Sequence, residues 1–255
     1  MTKQEFYDKF LVEYDKVASL GAPGYQATEL SILASEAQES LITKKYGPNS
    51  NRLKEGFEET EKRIQELGEL VKYKTISTFS TSFFTNGVAA ILPNSLLDTT
   101  NADTTNSAGP TNFDDVYWFT IYEDAITNQL DCTIANNTTV YVTAEVIPVS
   151  HDQLNLALDN PFRKPYLKGD SARVFRVRSG GRKHELITDG SFNITDYKIG
   201  YIKKPTPIDL TTNTSDPVCD LNDNFHRELL QETLEIAKRT VQDPSLALNL
   251  NNIKE

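Results

Sequence analysis

Histidine, cysteine and long apolar runs are what this sequence has least of, and each shortage excludes a class of function. Its 255 residues hold three histidines and two cysteines. None of these stands at metal-ligand spacing from another, so a zinc site is not expected. Cys132 and Cys219, 87 positions apart, form no disulfide framework, so a reducing compartment is the expectation. No apolar run approaches the roughly 18 residues of a membrane span. The opening MTKQEFYDKF is polar and helix-like, unlike a secretory leader. Gly-x-Ser-x-Gly elbows and phosphate loops are missing. Sequons at Asn136, Asn137, Asn193 and Asn213 read as Asn/Thr-rich loop and strand sequence, since nothing else points to secretion.

Acid is what the chain has in excess, with 36 Asp/Glu against 26 Lys/Arg and a net charge of −10. A chain of that balance should not coat nucleic acid or an anionic membrane. The charge is uneven. From Phe162 to Lys204 eleven Lys/Arg stand against four Asp/Glu, a net of +7, which leaves −17 for the rest. That asymmetry points to packing between copies or to an acidic partner.

The first 73 residues read as three helices. Thr2-Lys3-Gln4-Glu5 is a capping-box pattern, and Phe6, Phe10, Tyr14 and Val17 follow at helical spacing. A second helix over about 26–46 carries Leu30, Leu33, Ala37 and Leu41 on one face, before Gly47-Pro48. The third has Leu53, Phe57, Thr60, Ile64, Leu67 and Val71 as an a/d seam, the pattern of a helix packed in a bundle. Glu55, Glu58, Glu59, Glu61 and Glu66 lie off that seam and read as a solvated face. A last helix begins near Asn222 with Leu230, Leu234, Ala237 and Val241 on one face, and Asp243-Pro244 ends it.

Between the helices the pattern turns to β. Residues 116–122 and 140–147 read as strands. Gly180-Gly181 reads as a two-residue hairpin turn, pairing Phe175 with Leu186, Arg176 with Glu185 and Val177 with His184. Asp189-Gly190 adds a second turn that brings Phe192 opposite Ile187, for a three-stranded meander. The fold class is therefore α+β: an N-terminal three-helix bundle completed by the C-terminal helix, with an inserted antiparallel β region. Residues 1–74 with 220–244 form the bundle and 75–219 the inserted region. The Thr/Asn-rich loop 93–112 is exposed, and 245–255 is an extended tail.

Chemistry is scarce. His151 opens a short helix capped by Asp152, His184 is half-buried packing, and His226 borders the bundle. Cys132 and Cys219 lack basic neighbours and read as structural thiols. No catalytic residue, metal or cofactor is expected. The one cluster to weigh is Arg173, Arg176, Arg178, Arg182 and Lys183. Phosphate contact is one use for it. However, Phe175 falls on the opposite face from Arg176 and Arg178, so the aromatic and basic interleaving of a single-strand platform is missing. Pairing with the acidic remainder of a neighbouring copy is the favoured reading, with non-specific contact to genomic DNA the alternative.

Four segments carry a resemblance: EFYDKFLVEYDKVASLGAPGYQATELSILASEAQESLITKKYG, DNPFRKP (159–165), YIKKPTPIDL (201–210) and CDLNDNFHRELLQETLEIAKRTVQDP (219–244). Together they resemble the structural proteins encoded near the portal gene in crAss-like podoviruses and related phages of Bacteroidota. The resemblance implies a virion protein of the neck or tail, made in the bacterial host cytoplasm. It further implies contact with copies of itself, the portal and neighbouring ring or tail proteins, and no membrane. More distantly, a helical bundle with an inserted β region and an extended tail is similar to the head-to-tail adaptors of short-tailed phages. There twelve copies form a ring and the tail docks on the portal or a neighbouring subunit. By position, Leu246, Leu248, Leu250 and Ile253 would do so here. The alternatives are a tail-accessory or host-surface-binding virion protein, with the Asn/Thr loops as its recognition surface, and a carbohydrate-binding or scaffold protein.

Overall fold

Thr2 Oγ1 accepts a hydrogen bond from the Glu5 amide at 3.2 Å, and the Glu5 carboxylate accepts one from the Thr2 amide at 3.3 Å. The expected capping box therefore starts the first helix, α1 (Lys3–Asp15). The structure, a computed structural model, describes residues 1–15, 24–47, 61–92, 116–130, 139–180 and 183–242. Loop 93–112, tail 245–255, Leu53, Phe57, Thr60, Cys132, Gly181 and Arg182 lie outside them. The chain divides into two compact units, Met1–Leu70 with Pro205–Glu255, and Val71–Lys204. Among the described residues no helix is long and apolar enough to cross a membrane.

In the helical unit, α1 buries Phe6, Phe10 and Tyr14, the residues its spacing singled out. Helix α2 (Ala27–Tyr46) starts from a second capping box, between Gln26 and Glu29. It buries Leu30, Ala37 and Leu41 as expected, whereas Leu33 is half-buried and Ala34, Gln38 and Ile42 fill the face instead. Helix α3 ends sooner than the seam implies. It covers Glu61–Leu67, passes through a 3-10 turn at Gly68–Leu70, and Val71 already belongs to a strand.

The seam also fails at Ile64, which is exposed, while Leu67 and Leu70 are buried. Glu66 reverses the expectation in the other direction, being buried rather than solvated. Lys45 reaches Glu66 at 2.5 Å and Glu228 at 2.5 Å, and Lys62 bridges the same two carboxylates at 3.4 and 3.2 Å. Lys45 also lies 5.2 Å above the Phe225 ring. Thus α3 is held to α2 and to α5 (Asp223–Gln242) by charge as well as by apolar packing. On α5, Leu230, Leu234 and Ala237 are buried as their spacing requires.

The second unit is a nine-stranded sheet among the described residues. Its strands are β1 (Val71–Ile76), β2 (Ser80–Thr81), β3 (Gly87–Ile91), β4 (Tyr117–Leu130), β5 (Thr139–Pro148), β6 (Tyr166–Lys168), β7 (Ser171–Ser179), β8 (Lys183–Ile187) and β9 (Asn193–Lys203). The order is β1-β9-β4-β5-β7-β8-β3-β2, with β6 on β7. The β5–β7 pair is parallel, so the region is not purely antiparallel. Helix α4 (His151–Asp159) lies in the crossover between these two strands.

The sheet curls, because Tyr117 on β4 meets His184 on β8 with ring centroids 5.6 Å apart although two strands separate them in the order. Small side chains allow it. Ala125, Ala144 and Ala172 align across β4, β5 and β7, and Tyr197 on β9 pairs with Ala125 at the end of that row. All four are buried in one core with Tyr117 and Tyr201. Alanines opposite tyrosines keep the concave side filled without overpacking.

Two β expectations are corrected. The β7–β8 hairpin pairs Phe175 with Ile187, Arg176 with Leu186 and Val177 with Glu185, one residue out from the expected register. Ser179 pairs with Lys183, so the connection has three residues and begins at Gly180 with φ +72°. Cover on each face decides the register here, not charge pairing. Phe175, Val177 and Ile187 join Leu154 of α4 in one cluster, while Val174 and Leu186 join the concave core. The meander is also absent, since β8 takes β3 on its free edge and β9 inserts between β1 and β4.

Replacing Lys45 with Ala leaves Glu66, only 3% exposed, with the exposed Lys62 as its remaining cation. Urea unfolding should show a loss of about 1–3 kcal/mol. A loss under about 1 kcal/mol would mean the pairs add nothing to the packing of α3.

Candidate interaction surfaces

The five basic residues singled out in the sequence do not share a face. Arg176 points to the concave side of the sheet, where its Nε lies 3.1 Å from a Glu123 carboxylate oxygen, and both side chains are largely buried. Arg178 stands on the same side with its guanidinium 5.7 Å from the Tyr117 ring. Arg173 takes the other face, 5.3 Å over the Tyr166 ring and 3.8 Å from Glu145. Lys183 shares that face and pairs with Glu185 at 3.3 Å. Arg182 and the tail residues Leu246, Leu248, Leu250 and Ile253 lie outside the described residues. The expectation that Phe175 opposes Arg176 and Arg178 holds, since Phe175 packs with the α4 cluster.

The three histidines are apart. His151 opens α4, but its Nε2 lies 3.0 Å from the Arg178 carbonyl oxygen, and the cap position is Ser150 rather than Asp152. His226, on α5, is buried with Nδ1 3.1 Å from Asp223. His184 is wholly buried rather than half-buried, with Nδ1 2.9 Å from the Tyr197 hydroxyl. It shares its face with Leu186 and not with Val177. Burial, then the charges of Arg176 and Arg178, lower the His184 pKa from 6.5 to about 3, so it is neutral in the fold. Burial raises the Tyr197 hydroxyl and, outweighing Arg176, the Glu123 carboxyl.

On the other face, burial pushes the Glu185 carboxyl up. Bonds from Ser82 at 2.6 Å and the Phe83 amide at 3.0 Å, with Ser179 and Lys183, overcome this and hold it at about 2. Burial drives the Cys219 thiol up to about 11, in keeping with an unreactive thiol. Among the described residues no group of three His, Cys, Asp or Glu is placed to hold a metal ion.

Two features escaped the sequence reading. The first is a turn following α4. Asn160 organises it, with Oδ1 accepting from the Phe162 amide at 3.0 Å and its carbonyl accepting from the Arg163 and Lys164 amides at 3.0 and 2.9 Å. The outcome is a Phe162 ring that is 90% exposed, followed by two exposed cations, Arg163 and Lys164. An Asn-Pro pair just past a helix was the available sign.

The second is a groove of about 690 Å³ in the helical unit. Ser31 and Ser35 of α2 accept hydrogen bonds from the Leu210 and Ile208 amides at 3.0 and 2.9 Å, which lays 205–210 along the helix. The strand-like pairing of Thr2 with Pro217 holds the far side. Buried Ile208, Val218 and Leu221 make the floor, and exposed Asp209, Asp216, Asp220 and Asp223 make the rim. His226 also lines it, its Nε2 buried without a well-formed hydrogen bond. Four carboxylates dispersed over 15 positions give no motif in the linear sequence.

A pH test follows from His184. The unfolded chain takes up its proton below pH 6.5 and the fold only near 3, so the unfolded state binds more protons in that window. Stability is complete above 6.5 and falls as the pH drops. Urea unfolding should show about 2 kcal/mol less stability from this residue at pH 5 than at 7. His184→Gln should remove that share of the pH dependence. An unchanged slope in the variant would refute the assignment.

A model of the phage tail ring protein 3/4 family matches residues 1–247. The chain is 26% identical over 259 aligned positions to ring protein 4/5 of Bacteroides phage crAss001, covering 95% of this chain and 94% of that protein. It is 29% identical over 248 positions to ring protein 3 of the same phage, covering 93% and 95%.

Proposed function

Since the chain belongs to the phage tail ring protein 3/4 family, we propose that it is a non-enzymatic structural subunit of a multimeric ring in a virion, set between the capsid portal and the tail. The observation that carries this reading is the extent of the match. Both ring-protein relatives align over more than nine-tenths of their own length and of this chain.

The charge distribution supports it. A closed ring is a head-to-tail assembly, so every subunit must present two different, complementary surfaces. The helical unit, Met1–Leu70 with Pro205–Glu255, carries 22 Asp/Glu against 13 Lys/Arg, whereas 162–204 carries a net of +7. One chain thus supplies both signs. In this reading twelve copies surround the channel through which the genome passes, with the portal and adjacent ring or tail proteins as partners. Arg173 and Lys183 contribute to the contact between copies, and Leu246, Leu248, Leu250 and Ile253 dock the tail on a neighbour. Contact with DNA would be non-specific and through backbone charge.

A reconstruction of the assembled particle tests the proposal. Twelve copies in one ring on the portal–tail axis are expected. Copies confined to peripheral fibres, or a chain absent from the particle, would overturn it.

A further inference from the structure

We infer that the Phe162-Arg163-Lys164 turn of one copy seats in the Asp-rimmed groove of the next, and that this contact is a repeating joint of the ring. It rests on the ring reading and names the surfaces that reading requires.

The turn has the form of an anchor. Asn160 fixes three successive amides, and the Arg173 guanidinium donates to the Phe162 carbonyl at 3.5 Å. The segment is therefore already in one conformation, and little chain entropy is lost when it docks. A large aromatic beside an arginine is the composition of interface hot spots. Among the described residues, other exposed apolar side chains lack this setting. Tyr73 is flanked by Lys72 and Lys74, but on a strand those point to the opposite face. Phe83 borders the carboxylate of Glu185.

The groove has the complementary form. Its floor of Ile208, Val218 and Leu221 suits a phenyl ring. Asp223 on the rim is paired with the Met1 ammonium at 2.8 Å and Lys3 also lines the groove, so the rim keeps a net negative charge from Asp209, Asp216 and Asp220 that suits the two cations after Phe162. At about 690 Å³ it is large enough for an aromatic ring with the stems of its neighbours. Turn and groove lie in different units of the chain, so the contact between copies is head-to-tail and can propagate until the ring closes.

Two full-length variants test the joint by mass photometry and light scattering. Phe162→Ser with Arg163→Ser and Lys164→Ser disables the turn, and Asp216→Asn with Asp220→Asn disables the groove. All five residues are exposed, so both variants should melt with the wild type. Each alone should self-associate at least about tenfold more weakly than the wild type. An equimolar mixture should give a one-to-one complex that grows no further, because one intact turn meets one intact groove. If the wild type assembles and both variants assemble equally well, the joint is wrong and the ring stands. If neither the wild type nor the mixture associates, the joint is wrong, and copy number in the particle decides the ring separately. A one-to-one complex from chains that form no ring in the particle would keep the joint and remove the ring.

Discussion

The curl of the nine-stranded sheet is the constraint on which the rest of its unit depends. Without the alanine row at 125, 144 and 172 the concave side could not admit Tyr197, Tyr201 and Tyr117. Without the curl, β8 would not face β4 and β9, and His184 would meet neither Tyr117 nor Tyr197. Arg176 would likewise have no buried carboxylate within reach. Shape, made by side-chain size, comes first, and the polar contacts inside follow from it.

Those inner contacts explain why the basic segment does not act as one surface. Arg176, Glu123, Tyr197 and His184 form a connected polar cluster in a low-dielectric interior, where each member is costly unless the others are in place. A register slip of one residue would send Arg176 and Arg178 to the α4 side and bring Phe175 inward, breaking the ion pair and both apolar clusters. Among the described residues, positive charge on the outside of this segment is left to the turn after α4, to Lys168, Lys198 and Lys204, and to the partly exposed Arg173 and Lys183.

Much of the helical part was legible in the sequence, because capping residues and 3.6-residue spacing act locally. Thr2 with Glu5, and Phe6, Phe10 and Tyr14, behave as their positions demand. The third helix misled because an apolar spacing cannot say where a helix stops. Val71 continues the period but begins a strand, and Glu66, off the seam, is buried by a lysine contributed from α2. In the sheet, alternation identified the β5 strand and the turns at Gly180 and Gly190, where φ is positive. It could not show that β3 captures β8 or that β9 travels to the middle, since those pairings join segments distant in sequence. The groove was hidden for the same reason, its rim being assembled from a loop, a helix start and the segment along α2.

The position of β9 carries a consequence for how the polypeptide is born. It lies between β1 and β4, strands that leave the ribosome more than a hundred and about seventy residues earlier. Until Asn193–Lys203 has emerged, those two ribbons must wait with open edges and their aromatic faces in water. Closure is consequently a late, non-local event. The nascent chain has an interval in which it can pair with the wrong copy, so a virus that needs many subunits at once would do well to supply them at a measured rate.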